Sequence, residues 1–88
     1  MVIKKIYYSP DFLKVFKRLP LHIQRLASEK EKAFKANCFD KSLRTHKLHG
    51  KLMGCWSFSI NYYYRVLFEF YDDKTVGFID IGTHSIYQ

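Results

Sequence analysis

Three short β-type runs crowd into the last third of the chain, and their spacing leaves little freedom. In "LMGCWSFSI", Leu52, Trp56, Phe58 and Ile60 alternate with Met53, Cys55, Ser57 and Ser59. Such alternation describes a strand with one apolar and one polar face. Asn61-Tyr62 supplies a turn. "YYRVLFEFY" then alternates again, with Tyr64, Val66, Phe68 and Phe70 on one side and Arg65 and Glu69 on the other. Asp72-Asp73 turns the chain once more, and "TVGFIDI" reads as a third strand. Connections this short join antiparallel neighbours, so the region is a three-stranded meander.

Upstream of the meander the period changes. Residues 2–8, "VIKKIYY", have the β-branched and aromatic content of a strand. Ser9 can cap a helix, Pro10 sits where a missing N–H costs nothing, and Asp11 suits the positive helix end. Phe12, Val15, Phe16 and Leu19 follow at helical spacing. Pro20 closes that helix and opens a second, running to about Asn37, with Ile23, Leu26, Ala27, Ala33 and Phe34 inside and Arg25, Lys32 and Lys35 outside. Lys30 interrupts the inner stripe. Residues 38–51, "CFDKSLRTHKLHGK", show no period and read as an irregular connection.

The expected fold is therefore α+β, one domain over residues 1–88: an N-terminal strand, a two-helix hairpin, then the three-stranded antiparallel meander. Trp56, Phe58 and Ile60 must face the helices, because nothing else can bury them. Ser57, Ser59 and Arg65 then line the opposite face, which two helices leave concave and open. Glu69, on the same face, is the available ion-pair partner for Arg65.

Charge is distributed unevenly. Residues 1–51 hold 13 Lys and Arg against 4 Asp and Glu, whereas residues 52–88 hold 2 against 4. A basic half of this kind suits a polyanion or an acidic protein partner. Lys41, Arg44, His46, Lys47, His49 and Lys51 make the densest patch. The first residues lack the apolar core of a signal peptide, no run approaches the ~18 apolar residues of a membrane span, and two cysteines are too few for a disulfide framework. The expected compartment is the cytoplasm, with no membrane association.

The run "FIDIGTHSIYQ" ends the sequence with titratable aromatic groups. Gly82 is expected to let the last strand turn sharply, carrying His84 and Tyr87 to the rim of the open face beside Arg65. A His that titrates near neutral pH, an Arg and nearby lysines form a kit for cutting RNA without a metal or other cofactor. A base takes the 2′-hydroxyl proton, a cation stabilises the crowded phosphate, and an acid protonates the leaving 5′-oxygen.

The stretch "THKLHGKLMGCWSFSINYYYRVLFEF", followed by "VGFIDIGTHSIY", resembles the RelE/ParE superfamily of bacterial toxins, more closely its RelE/StbE-type and YafQ-like branches. The "SPDF" helix start and the "KRLP" joint also match, so the resemblance spans essentially the whole chain. It implies a type II toxin–antitoxin toxin: a metal-independent, ribosome-dependent endoribonuclease that cuts mRNA in the decoding site and is silenced by a cognate acidic antitoxin. It further implies a monomer when free, or a heteromeric complex with the antitoxin. By resemblance the family's strand arginine falls on Arg65, the His of the YafQ-like ending on His84 and the terminal aromatic on Tyr87. The basic and histidine residues of the family's preceding loop fall, more loosely, around His46, His49, Lys47 and Lys51. Independently of the resemblance, the charge cluster of Lys41, Arg44, Lys47 and Lys51 is expected to face RNA together with Ser57 and Ser59. Ser57 and Ser59 stand where RelE carries lysines, and Ser85 where an acidic residue often follows the G-T-H.

Three other readings remain. The gyrase-directed ParE toxins share the resemblance and need no general base. A plain RNA-binding relative would use the tyrosines of "NYYYR" to stack bases. Zinc could take Cys38, His46, His49 and Cys55, but the spacing lacks a C-x₂₋₄-C pair.

Overall fold

The computed structural model describes residues 1–87. Strand β1 (Lys5–Tyr8) leads into helices α1 (Pro10–Arg18) and α2 (Leu21–Ala36), followed by strands β2 (His46–Lys47), β3 (Trp56–Ser59), β4 (Arg65–Phe70) and β5 (Thr75–Gly82). The helix starts follow the sequence closely. Ser9 Oγ accepts from the Phe12 N–H at 3.0 Å, Pro10 opens α1, and Leu19 leaves it in an extended conformation ahead of Pro20. The architecture is the expected α+β arrangement, with the meander order intact.

The strands form one sheet in the order β1-β5-β4-β3-β2. Strand β1 runs parallel to β5, and the other pairs are antiparallel. Two strand limits move inward from their expected positions. Residues 1–4 leave the sheet because Ile3 donates to the Lys35 carbonyl and Met1 accepts from the Cys38 N–H, tying them to the end of α2. Strand β3 starts at Trp56 rather than Leu52, because Gly50–Leu52 forms a 3₁₀ turn and Gly54 takes φ of 94°. The segment expected to be irregular contributes β2, a two-residue strand too short to carry a detectable period.

A bulge corrects the phase of β5. Leu67 pairs with Asp80 and Phe68 with Phe78, so Ile79 is the extra residue. Without it, Val76 and Phe78 would face the helices and Ile81 would face away. With it, all three are buried, and Gly82 falls opposite Arg65. The carbonyl of Ile79, displaced from the ladder, accepts from Ser9 Oγ at 2.5 Å.

Phe34 of α2 is the centre of the core. It is fully buried, stacks on Phe58 with ring centroids 4.7 Å apart, and meets Phe68 edge-on at 4.9 Å. Phe58 thus faces the helices as expected, and Ser57 faces away. No helix among the described residues is long and apolar enough to cross a membrane.

Candidate functional site

On the sheet face away from the helices, His46 of β2 pairs with Ser57 of β3, and Ser57 with Leu67 of β4. Cross-strand partners share a face, so His46 and Ser57 stand on the same side. Residues His84–Tyr87 then fold into a 3₁₀ turn after β5. Tyr87 brings its hydroxyl to 2.7 Å from Ser57 Oγ, and the His84 ring meets Tyr87 edge-on at 5.7 Å. Ser57 is fully buried where this turn meets it, and Ser59 is nearly so. As a buried anchor Ser57 has no free hydroxyl for RNA, contrary to the expectation of an open serine pair. The Tyr87→Phe variant leaves the buried Ser57 hydroxyl without this partner and is expected to lower stability by about 1–3 kcal/mol, read as a drop in thermal midpoint.

Gly82 has a different role from the one expected. Its φ lies outside the left-handed region, and it is still paired in β5. A Cβ placed there would stand 2.8 Å from Ile86 Cγ2, so the glycine makes room for Ile86 to fold back. The sharp turn comes after Gly82, in the 3₁₀ turn itself.

Arg65 opens β4 and is half-buried. Its Nη1 donates to the Asn61 carbonyl at 2.6 Å and the Tyr64 carbonyl at 3.3 Å; Glu69 is not its partner. The Asn61 side chain in turn accepts from the Tyr63 and Tyr64 N–H groups at 2.9 and 2.8 Å, shaping residues 61–64 into an Asx-type loop. Arg65 therefore leans over the end of the sheet, into a pocket of about 240 Å³ that it shares with Lys30, Arg44 and Ser59. Neither His84 nor Tyr87 is among the described residues lining this pocket. Arg65 pairs across the sheet with Gly82, only two residues before His84, so the arginine and the histidine occupy adjoining patches rather than one hollow. Ser57 and Ser59, about 7 Å apart along one strand face, connect the two.

The basic segment lies along the β2 edge. Lys41, Arg44, His46, Lys47, His49 and Lys51 are all exposed. His46 Nδ1 lies 2.9 Å from the Arg44 carbonyl. Lys47, paired with Trp56, points to the helix side, with its Nζ 5.9 Å from the indole centroid. The alternation that sets His46 beside Ser57 thus sends Lys47 the other way. His49 begins the 3₁₀ turn Gly50–Leu52 with no side-chain cap bond.

Lys30, read from the sequence as a break in an apolar stripe, is a pocket residue; the break itself was the signal. Asn61 gave none beyond its turn propensity. Cys38 is fully buried and Cys55 half-buried. Burial raises both thiols above their ordinary pKa, with Glu69 adding to the effect on Cys55, so neither is a ready thiolate. Among the described residues no three His, Cys, Asp or Glu side chains group as a metal site requires. A second cavity, about 230 Å³ between the two helices and the sheet, is lined mainly by apolar side chains such as Phe12, Phe16 and Phe58.

No model of a known protein family matches the sequence, and no curated protein matches it. Solved structures do. The YoeB/ParE toxin from Agrobacterium tumefaciens superposes with a TM-score of 0.76 at 15% identity, over 92% of this chain and 99% of that one. The YoeB–YefM complex from Staphylococcus aureus gives 0.74 at 20% identity, over 96% and 99%. The archaeal RelE–RelB complex from Pyrococcus horikoshii gives 0.72 at 17% identity, over 94% and 96%. Identities this low speak for fold, and the chain has the fold of the RelE/ParE toxin superfamily.

Proposed function

We propose that the protein is the toxin of a type II toxin–antitoxin system and acts in the cytoplasm as a ribosome-dependent endoribonuclease on mRNA. The observation that carries this reading is the β4–β5 register, which pairs Arg65 with Gly82 and so sets a cation two residues from His84. His84 takes the proton from the 2′-hydroxyl, whose oxygen bonds to the adjacent phosphorus. Arg65 releases the loop carbonyls and grips the crowded phosphate through two parallel hydrogen bonds. The bond to the 5′-oxygen breaks, and Tyr87 or His46, both beside Ser57, supplies its proton. Such chemistry draws on no metal.

Toeprinting on translating ribosomes with added protein tests the reading directly, because it reports where mRNA is cut. Inhibition of gyrase by the pure protein, with intact mRNA on the ribosome, would instead support a ParE-type toxin.

The partner is a small acidic antitoxin, complementary to the basic half of the chain. Expression of this chain alone in growing bacteria is expected to arrest growth, and co-expression of the cognate antitoxin to restore it. Normal growth despite soluble, folded protein would count against a toxin of any kind.

Lys47 and Lys51 belong to the RNA-facing edge in this proposal. Replacing both by Gln is expected to weaken ribosome binding and flatten its dependence on salt, since each lost phosphate contact removes counterion release. A titration across ionic strength reads both effects, and unchanged affinity would assign these lysines to the antitoxin alone.

A further inference from the structure

The loop between β3 and β4 exposes two tyrosines that neither the core nor the proposed chemistry uses. Tyr62 and Tyr63 are 80% and 67% exposed, and their rings meet edge-on at 5.3 Å. Exposed aromatic rings beside cations are the arrangement on which nucleic-acid bases stack. Tyr62 also lines the pocket that holds Lys30, Arg44 and Arg65. Three cations converge there, and no carboxylate is among the described lining residues.

Two further features mark this pocket as built. Arg44 is the one described non-glycine residue with positive φ, at 51°. Gly or Asn would hold that conformation with less strain, so the position keeps a long cation against a backbone cost. The Asp40 carboxylate accepts from the Ser42 hydroxyl and N–H at 2.6 and 2.9 Å; these bonds, with a smaller contribution from the Lys30 charge, hold its pKa below the usual range. With no RNA bound, Arg65 rests its Nη1 on the loop carbonyls, which ties the pocket's shape to the tyrosine loop.

We propose that this pocket and its tyrosine loop form a nucleotide subsite, in which Lys30 and Arg44 hold a phosphate and Tyr62 stacks the attached base. It is separate from the His84–Tyr87 patch and takes a nucleotide beside the one that is cut. The subsite rests on the proposed RNA function only in assigning its nucleotide to a longer RNA. A phosphate alone would satisfy the cations; the adjacent aromatic makes the nucleotide the better ligand, because every base offers a face to stack.

The test uses the full chain and ligands that cannot be cleaved. Uridine 5′-monophosphate, uridine and inorganic phosphate are titrated separately while backbone amide shifts are followed by NMR. The nucleotide is expected to shift amides of residues 42–44 and 59–65, and to bind at least roughly tenfold more tightly than uridine or phosphate, the scale of one stacked base. Tyr62→Ala is expected to reduce its affinity to that of phosphate, and Lys30→Gln with Arg44→Gln to abolish binding of both. Equal affinity for nucleotide and phosphate overturns the assignment, as do shifts confined to the Lys47–Lys51 edge or a Tyr62→Ala variant that binds like the parent. Nucleotide binding without ribosome-dependent cleavage leaves the subsite standing and removes the nuclease. Cleavage without nucleotide binding does the reverse.

Discussion

Alanine at His84 or at Arg65 is expected to slow ribosome-dependent mRNA cleavage by about 10²-fold or more, the scale of a proton-transfer group or a transition-state donor. Both variants are expected to stay folded. His84 is exposed, and Arg65 gives up only hydrogen bonds to two loop carbonyls, so thermal midpoints measured alongside the rates separate chemistry from stability. Arg65→Lys keeps the charge and loses the planar fork, so it is expected to retain part of the activity. His84→Gln keeps a polar side chain without a titrating nitrogen, so it is expected to be as inactive as His84→Ala. The product is expected to end in a 2′,3′-cyclic phosphate, and an mRNA with 2′-deoxyribose at the cut position is expected to survive. Wild-type rates from His84→Ala would move the base to His46, which shares a sheet face with Ser57.

The fold was legible because its signals repeat. Alternation in β3 and β4, helical spacing from Phe12 to Leu19, and Ser9-Pro10 at a helix start agree with one another, and each agrees with burial on one sheet face. What escaped has a common cause: it depends on relations between segments that no local period records. Strand β2 is two residues long and is held by its partner, not by its own pattern. The run "TVGFIDI" reads as one plain strand, and only the pairing with Leu67 and Phe68 reveals the bulge between Phe78 and Asp80. The site divides the same way. The faces of Ser57 and Phe58 follow from alternation, whereas the path of the Arg65 side chain follows from two carbonyls in a loop shaped by Asn61. Lys30 joins that pocket from a helix distant in sequence. Gly82 was recognised as necessary, but for a turn; the reason is the bulk of Ile86 four residues later.

The largest effect on stability is expected from Phe34→Ala. A chain of this length buries only about 60–65% of its unfolded surface, and domains of this kind are stable by roughly 5–15 kcal/mol in total. Removing a buried Phe commonly costs about 3–5 kcal/mol, through lost burial and the cavity left behind. Phe34 belongs at the upper end of that range, because its ring contacts Phe58, Phe68 and Phe78 at 4.7, 4.9 and 5.5 Å and so joins α2 to three strands at once. At about 4–8 °C per kcal/mol for a domain this small, the thermal midpoint is expected to fall by about 15 °C or more. Phe16→Ala is the control. Phe16 is half-buried and, among the described residues, has one aromatic neighbour, Phe12 at 5.9 Å, so its loss is expected to cost much less. Circular dichroism melts of both variants check the order. A Phe34→Ala midpoint close to the parent's, or above that of Phe16→Ala, would mean that the sheet holds its shape without α2. In that case the helix would be there to present Lys30 rather than to complete the core.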